Sequence, residues 1–342
     1  MGLRIAEIAT LGRPVPPQGE GSVEHLVSII TEGLVQRGHE VTLFARADSK
    51  TSARLESPVP TGYGSGKWDW QLYEGFQVRE AFRRWREFDI IHCHSYHHAL
   101  LFCDFIRIPV LMSIHIEPGP DYRFLAINST NRHLHFSSSF QAREFEDIQQ
   151  KSIIPFGLPV PEKMNGDWGR GDYLAFLGRF HPDKGVLDAI RIARKAGRKL
   201  ILAAPENDYF REDILPEIDG KSVIYAGELS GHEKYRFLAR SAGLLYPNTR
   251  GEPFGLVLAE ALLSGTPVLA RDIGAVSEIV DHGATGWLAK TDEDFLEGID
   301  AAPILSRPLI RDTAVARFSE ERMLNDIEGL LTRLAGELRG RG

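Results

Sequence analysis

Asn248-Thr249-Arg250-Gly251-Glu252-Pro253-Phe254-Gly255-Leu256-Val257-Leu258-Ala259-Glu260-Ala261-Leu262-Leu263-Ser264-Gly265 lies between two short apolar runs, residues 243–247 and 267–270, that read as buried parallel strands. Between them the spacing predicts a helix. Pro253 suits its first position, because the N–H that proline lacks would be unpaired there anyway, and Gly265 supplies the stop. The N–H groups of Phe254, Gly255 and Leu256 then have no acceptor within the helix, and Gly255 lets a ligand approach the backbone. Such an end is a phosphate seat. Glu252 stands at its mouth and Glu260 two turns further on, roughly 12 Å along the axis at ~1.5 Å per residue. That is too wide for the acid/base pair of a glycosidase, roughly 5 to 9.5 Å apart, but it suits hydroxyls on either side of a diphosphate. Glu260 is the one charge in a helix apolar nearly all round, so burial demands a hydrogen-bond partner. The plainer reading is a dipole-favoured Glu252 and a structural Glu260.

At 342 residues the chain accommodates two domains, each with its own core. Hydrophobic content of 43% and charged content of 25% are those of a soluble globular protein. A net charge of -7 argues against nucleic acid as a partner. Arg79, Arg83, Arg84 and Arg86 cluster on an expected amphipathic helix, which reads as a solvated face; peripheral membrane contact is the sharper alternative. Cys93 and Cys103 are too few for a disulfide framework, and no apolar run approaches the ~18 residues of a membrane span. Residues 1–9 lead into a strand with no signal-peptide core before it, so the expected location is cytoplasmic.

The rest of the chain alternates strand and helix. Strands are expected at 3–9, 40–46, 89–92, 109–114, 124–127, 133–136 and 153–156, and helices at 22–37, 73–85, 96–106 and 138–147. The loop at 10–21 is no dinucleotide fingerprint, since Gly19-Glu20-Gly21 lacks the third glycine and the turn is not tight. It reads as a lip that brings backbone N–H groups of Gly19 and Gly21 near a ligand. Residues 51–70 are irregular; Thr61 and Trp68 around Gly66-Lys67 break the P-loop pattern. His115 falls just past a strand's carboxyl end, where ligands of open α/β sheets sit. His92, His94, His97 and His98 suggest a metallohydrolase, but no neighbouring carboxylate or His-Glu-x-x-His completes a site, so no metal is expected.

The proline-bearing 157–161 and the polar 163–170 break the pattern and mark a domain boundary. A second series follows, with strands at 173–177, 199–203, 223–225 and 243–246 and helices at 186–196 and 232–240. Two doubly wound α/β domains are the expected fold. Gly178-Arg179-Phe180-His181-Pro182-Asp183-Lys184-Gly185 places two cations outside a strand's carboxyl end; Arg179 can fork onto phosphate oxygens while Lys184 acts as a point charge. The tail contains a glycine-rich turn at 283–286 and three amphipathic helices, the last from 319 to about 338.

Several elements together resemble a retaining glycosyltransferase of the GT-B fold, family 4 type: Pro16-Pro17-Gln18-Gly19-Glu20-Gly21 with Arg37-Gly38-His39-Glu40-Val41, Phe88-Asp89-Ile90-Ile91-His92, Gly178-Arg179 with Lys184-Gly185, and the Glu-x7-Glu from Glu252 to Glu260. The resemblance implies two Rossmann-like domains facing a cleft, 1–157 on the acceptor side and 158–318 on the donor side, with a helix at 319–342 crossing both. It implies that Arg179, Lys184 and the amides of Phe254, Gly255 and Leu256 hold a donor diphosphate. Glu260 would take the ribose, Glu252 the transferred sugar, His115 the sugar's far side, and Glu228-Leu229 the base. The expected substrates are a UDP- or GDP-linked sugar and a small-molecule or glycan acceptor, with no cofactor. A nucleotide-sugar binding or epimerase-like protein is the alternative. Gly19-Glu20-Gly21 departs from the family's usual Gly-Gly pair, and Phe156-Gly157-Leu158 from Asn-Gly-Ile.

Overall fold

The computed structural model describes residues 2–19, 21–59, 69–162, 168 and 171–339. Glu20, the rejected P-loop at 61–68 and most of the polar break at 163–170 lie outside the described residues. The chain forms two units, one built from residues up to Gly157 and from Glu320 onward, the other from Leu158–Ser319.

The first unit is a seven-stranded parallel sheet: β1 (Arg4–Ile8), β2 (Glu40–Phe44), β3 (Arg54–Glu56), β4 (Ile90–Cys93), β5 (Val110–Ser113), β6 (His133–Phe136) and β7 (Lys151–Ile153), in the order β3-β2-β1-β4-β5-β6-β7. Helices α1 (Ser22–Gln36), α2 (Trp70–Arg83), α3 (Pro120–Ile127) and α4 (Ser139–Ala142) connect its strands. The order reverses between β1 and β4, and the loops after those two strands therefore diverge there. The basic cluster around α2 is answered locally: Arg84 bonds Glu87 and Glu56, and Arg79 and Arg83 bond Glu80.

Several expected elements differ. Residues 124–127 are not a strand but the end of α3; Pro120 starts that helix, Tyr122 and Ala126 face the core, and Phe124 and Ile127 are exposed. A four-residue apolar run fits either period, and the proline upstream decides it. The helix expected at 96–106 is two short 3-10 turns, His98–Leu101 and Cys103–Phe105, and that at 138–147 is α4 plus a turn at Arg143–Phe145. The strand expected at 153–156 lies earlier, as β7. The edge strand β3, missed because it has no apolar run, pairs in parallel with β2; polar edges of this kind resist further pairing.

The second unit is a six-stranded parallel sheet: β8 (Tyr173–Leu177), β9 (Lys199–Ala203), β10 (Val223–Tyr225), β11 (Gly243–Tyr246), β12 (Val268–Arg271) and β13 (Gly286–Ala289), in the order β10-β9-β8-β11-β12-β13. Its helices are α5 (Val186–Lys195), α6 (Gly231–Arg240), α7 (Leu256–Leu263), α8 (Val276–Ile279), α9 (Asp292–Ala301) and α10 (Arg307–Phe318). The glycine-rich turn at 283–286 leads into β13, which the sequence reading missed.

The last helix, α11 (Glu320–Arg339), belongs to the first unit. Met323, Leu324, Ile327, Leu330, Leu331 and Leu334 form its buried stripe at helical spacing. Arg37 bonds Glu321 at 2.9 Å and Glu328 at 2.6 Å, tying α11 to the end of α1.

Candidate active site

In the second unit the strand order reverses between β8 and β11, and the charged residues singled out in the sequence gather in the loops leaving these two strands. Lys184 Nζ lies 2.5 Å from Glu252 Oε2 and 3.0 Å from the Tyr246 hydroxyl, which itself donates to Glu252 Oε2 at 2.7 Å. Lys184 and Glu252 are each about a fifth exposed, so the pair has one side open to a ligand. Tyr246 closes the other side. Burial, then the charge and hydrogen bond of Glu252, push its phenol well above the usual tyrosine range, while nearby Arg179 pulls it down. Neutral Tyr246 can thus accept from Lys184 and donate to Glu252 at once.

Close backbone packing holds this cluster in place. Gly185 has φ 68°, and a Cβ there would collide with the Pro247 carbonyl. Gly274 has φ 71°, and a Cβ would collide with the Glu252 amide. Glu252 bridges Gly274 in parallel, the Ala275 amide donates to the Glu252 carbonyl at 2.9 Å, and the Thr249 amide donates to the Asp183 carbonyl at 2.9 Å. Loops from three adjacent strands are therefore locked into one surface.

The helix expected to begin at Pro253 begins at Leu256, with Gly255 before it at φ 91°. Pro253 and Phe254 belong to the preceding loop, and Phe254 is buried with its ring 6.0 Å from Phe318. Helical spacing therefore does not apply between Glu252 and Glu260, and the estimate of roughly 12 Å loses its basis. The Leu258 amide already donates to the Gly255 carbonyl at 2.9 Å, so the amides of α7 with no preceding turn to donate into are those of Leu256 and Val257. Glu260 meets Lys234 of α6 at 2.5 Å, which supplies the partner its near-buried position demands. Arg179 is exposed at the end of β8; Glu228 and Leu229 follow β10, two strands away.

The first unit carries its own polar constellation. Gly19 and Gly21 lie in the loop between β1 and α1, where Gly21 caps the helix, and Glu24 in the first turn accepts from Thr10 Oγ1 at 2.7 Å. His115 follows β5. Its ring stacks on Phe156 at 5.2 Å and on His94 at 5.2 Å, and its Nε2 lies 2.9 Å from His94 Nδ1. The carbonyls on either side of His115, those of Ile114 and Ile116, both accept from the buried Gln141 amide, at 2.9 and 2.8 Å.

The expectation that the histidines lack a carboxylate is wrong. Glu7, pointing inward from β1, is fully buried and lies 2.9 Å from His92 Nδ1 and 3.0 Å from His94 Nε2. The three ligand atoms fall within 4.8 Å of one another, close enough to hold a metal, yet every contact is also a normal hydrogen bond. His92 Nε2 continues to Ser113 Oγ at 2.7 Å, and Ser113 to His135 Nδ1 at 2.7 Å. His135 Nε2 then donates to the Ile154 carbonyl at 2.8 Å. Burial pushes the Glu7 carboxyl up, but the charge and hydrogen bond of His92, then those of His94, outweigh it and bring it to about 2. Burial, and after it the charge of His92, lowers His94 to about 4. The sequence reading missed Glu7, Tyr246 and Lys234 because the elements that carry them are apolar or amphipathic strands and helices with no motif.

With this geometry in hand, the comparisons decide the family. Residues 23–145 match the family described as Glycosyltransferase Family 4, and residues 166–305 match Glycosyl transferases group 1. The chain is a family 4 type glycosyltransferase of the GT-B fold. It is 25% identical over 375 residues to a glycogen synthase of Mycobacterium tuberculosis, covering 92% of this chain and 89% of that one. Its fold is similar to that of the sucrose-phosphate synthase of Thermosynechococcus elongatus, with a TM-score of 0.79 at 20% identity over 98% of this chain and 100% of the other. It is also similar to Anabaena HepE in complex with UDP and glucose, with a TM-score of 0.72 at 20% identity over 96% and 99%. Among the described residues of this glycosyltransferase no helix is long and apolar enough to cross a membrane.

Proposed function

We propose that this glycosyltransferase moves a sugar from a UDP- or GDP-linked donor to an acceptor hydroxyl, with retention of anomeric configuration and without a metal. The observation that carries the reading is the Lys184–Tyr246–Glu252 cluster at the reversal point of the second sheet, with Arg179 beside it. The complex of the structurally similar HepE with UDP and glucose supports the choice of ligand class.

Breaking the anomeric bond creates an oxocarbenium-like sugar and a diphosphate whose negative charge grows as it leaves. Arg179, Lys184 and the first amides of α7 answer that charge, and a cation already held in place, as Lys184 is, does so with little reorganisation. In the free protein Lys184 is shared with Glu252 and Tyr246, so it is already oriented when a phosphate arrives. Glu252 then accepts from hydroxyls of the transferred sugar, Glu260 from the ribose, and His115 meets the sugar's far side. Glu228-Leu229 contacts the base, and Gly19 and Gly21 offer amides to the ligand. For retention, the acceptor hydroxyl attacks on the leaving-group face and the departing phosphate oxygen takes its proton.

A melting-temperature screen against UDP, GDP, dTDP and their common sugars tests the donor, because only ligands of the folded form raise its stability. The reading expects one diphosphate to shift the transition and its sugar conjugate to support transfer in EDTA. Activity that EDTA abolishes would overturn metal independence, and binding with no transfer to any acceptor would favour a binding or epimerase-like protein.

A further inference from the structure

The hydrogen-bond chain inside the first unit has a direction. His135 Nε2 faces the Ile154 carbonyl and must carry a proton, so with burial holding His135 neutral its Nδ1 accepts from Ser113. Ser113 has one proton to give and therefore accepts from His92 Nε2–H. On its other side Glu7 receives one bond from each of His92 and His94. With the His94 proton on Nε2, its Nδ1 is left as an acceptor, and among the described residues the group bonded to it there is His115 Nε2. His115 Nδ1 is buried and has no partner among the described residues. Nothing at His115 itself therefore decides which of its nitrogens carries the proton. The ring plane is set by Phe156 and His94, and the backbone by Gln141.

We infer that Glu7 and His94 are positioning residues for the transfer reaction. By accepting from His94 Nε2–H, the Glu7 carboxylate turns His94 Nδ1 into an acceptor that holds the proton of His115 on Nε2 and leaves Nδ1 bare. Among the described residues, the charges of His94, His135 and His92 bear on His115, and of these three His94 is the one hydrogen-bonded to its Nε2. The link to turnover rests on the placement of His115 beside the sugar; the wiring itself does not. The wrong tautomer sets two bare nitrogens against each other at the His94–His115 contact and so loosens the ring, and a shifted group at a reacting centre costs rate more than binding.

The test uses the full chain labelled with nitrogen-15 at histidine, read by long-range imidazole proton–nitrogen spectra and by donor kinetics. In the wild type His115 is expected to show a bare Nδ1 and a protonated Nε2. His94→Phe and Glu7→Met remove the instruction. Both are expected to give a tautomer mixture at His115 and to lower kcat roughly tenfold or more with donor KM little changed, as geometric misplacement does. Glu7→Gln keeps a carbonyl oxygen that accepts from His94 Nε2–H, and should retain both the tautomer and near-wild-type kcat. His94→Phe preserves the Glu7–His92 contact, which keeps the test open if Glu7→Met fails to fold. A single, unaltered His115 tautomer in His94→Phe would overturn the inference, as would an unchanged kcat there beside a low one in His115→Ala. An unchanged kcat in His115→Ala would instead remove His115 from the site, a result distinct from the spectra, which decide the wiring alone.

Discussion

The two units put their charge in opposite places. In the first, Glu7, His92 and His135 point from the strands into the interior, with His94 just beyond one of them, and all four are buried. In the second, the fully buried residues of β8, β11 and β12 are apolar except for Tyr246, and the Lys184–Glu252 pair stands on loops past the strand ends. A polar interior ties stability to protonation, whereas a polar rim ties ligand affinity to it. The two units should therefore fail differently under the same perturbation.

Acid should separate them most. His94, His98 and His133 are lowered to about 4 and His135 to about 3, each first by burial, and all four lie in the first unit. An unfolded histidine titrates near ~6.5. Between that value and about 4 the unfolded chain binds more protons than the folded one, so stability is complete above ~6.5 and falls as pH drops toward 4. Glu7, lowered to about 2, adds a loss only at more acid pH. Hydrogen exchange followed from pH 7 to pH 4 should show β1, β4 and β6 losing protection while β8 and β11 keep theirs. Equal loss in both units would break the comparison.

Next in size is Glu7→Ala, which leaves buried histidines without their carboxylate. Breaking a buried charged pair from one side costs about 3 to 5 kcal/mol, and urea unfolding should register it in the first unit. Lys184→Ala should behave in the contrary way, lowering turnover at least about tenfold, or about 1.4 kcal/mol of transition-state stabilisation, with a small change in melting temperature because its partner is partly solvated. Smallest is Tyr246→Phe, which removes one hydroxyl between Lys184 and Glu252. Its two bonds are to charged partners, but Lys184 and Glu252 stay bonded to each other without it, so a loss of about 1 kcal/mol is expected, read as a several-fold fall in kcat/KM.

Much of this was legible beforehand. The apolar runs at 173–177, 199–203 and 243–246 named their strands because a strand buried on both faces needs continuous hydrophobicity. Arg179, Lys184 and Glu252 stood out as charges just past such runs. The start of α7 misled, since Pro253 fits a helix N-terminus locally but the bridge from Glu252 to Gly274 holds that segment extended. Strand β3 was missed because Arg54-Leu55-Glu56 carries no apolar run, and β13 because it begins inside the glycine-rich turn at 283–286.

By itself the sequence determined most of the alternation of strands and helices and which charges stand at strand ends, because local period and turn chemistry act within a few residues. Only the tertiary structure decided that Glu7 meets His92 and His94 across 85 and 87 positions, or that Lys184 meets Glu252 across 68. Parallel pairing sets strands distant in the chain side by side, and a hydrogen bond depends on separation in space, which no local pattern encodes.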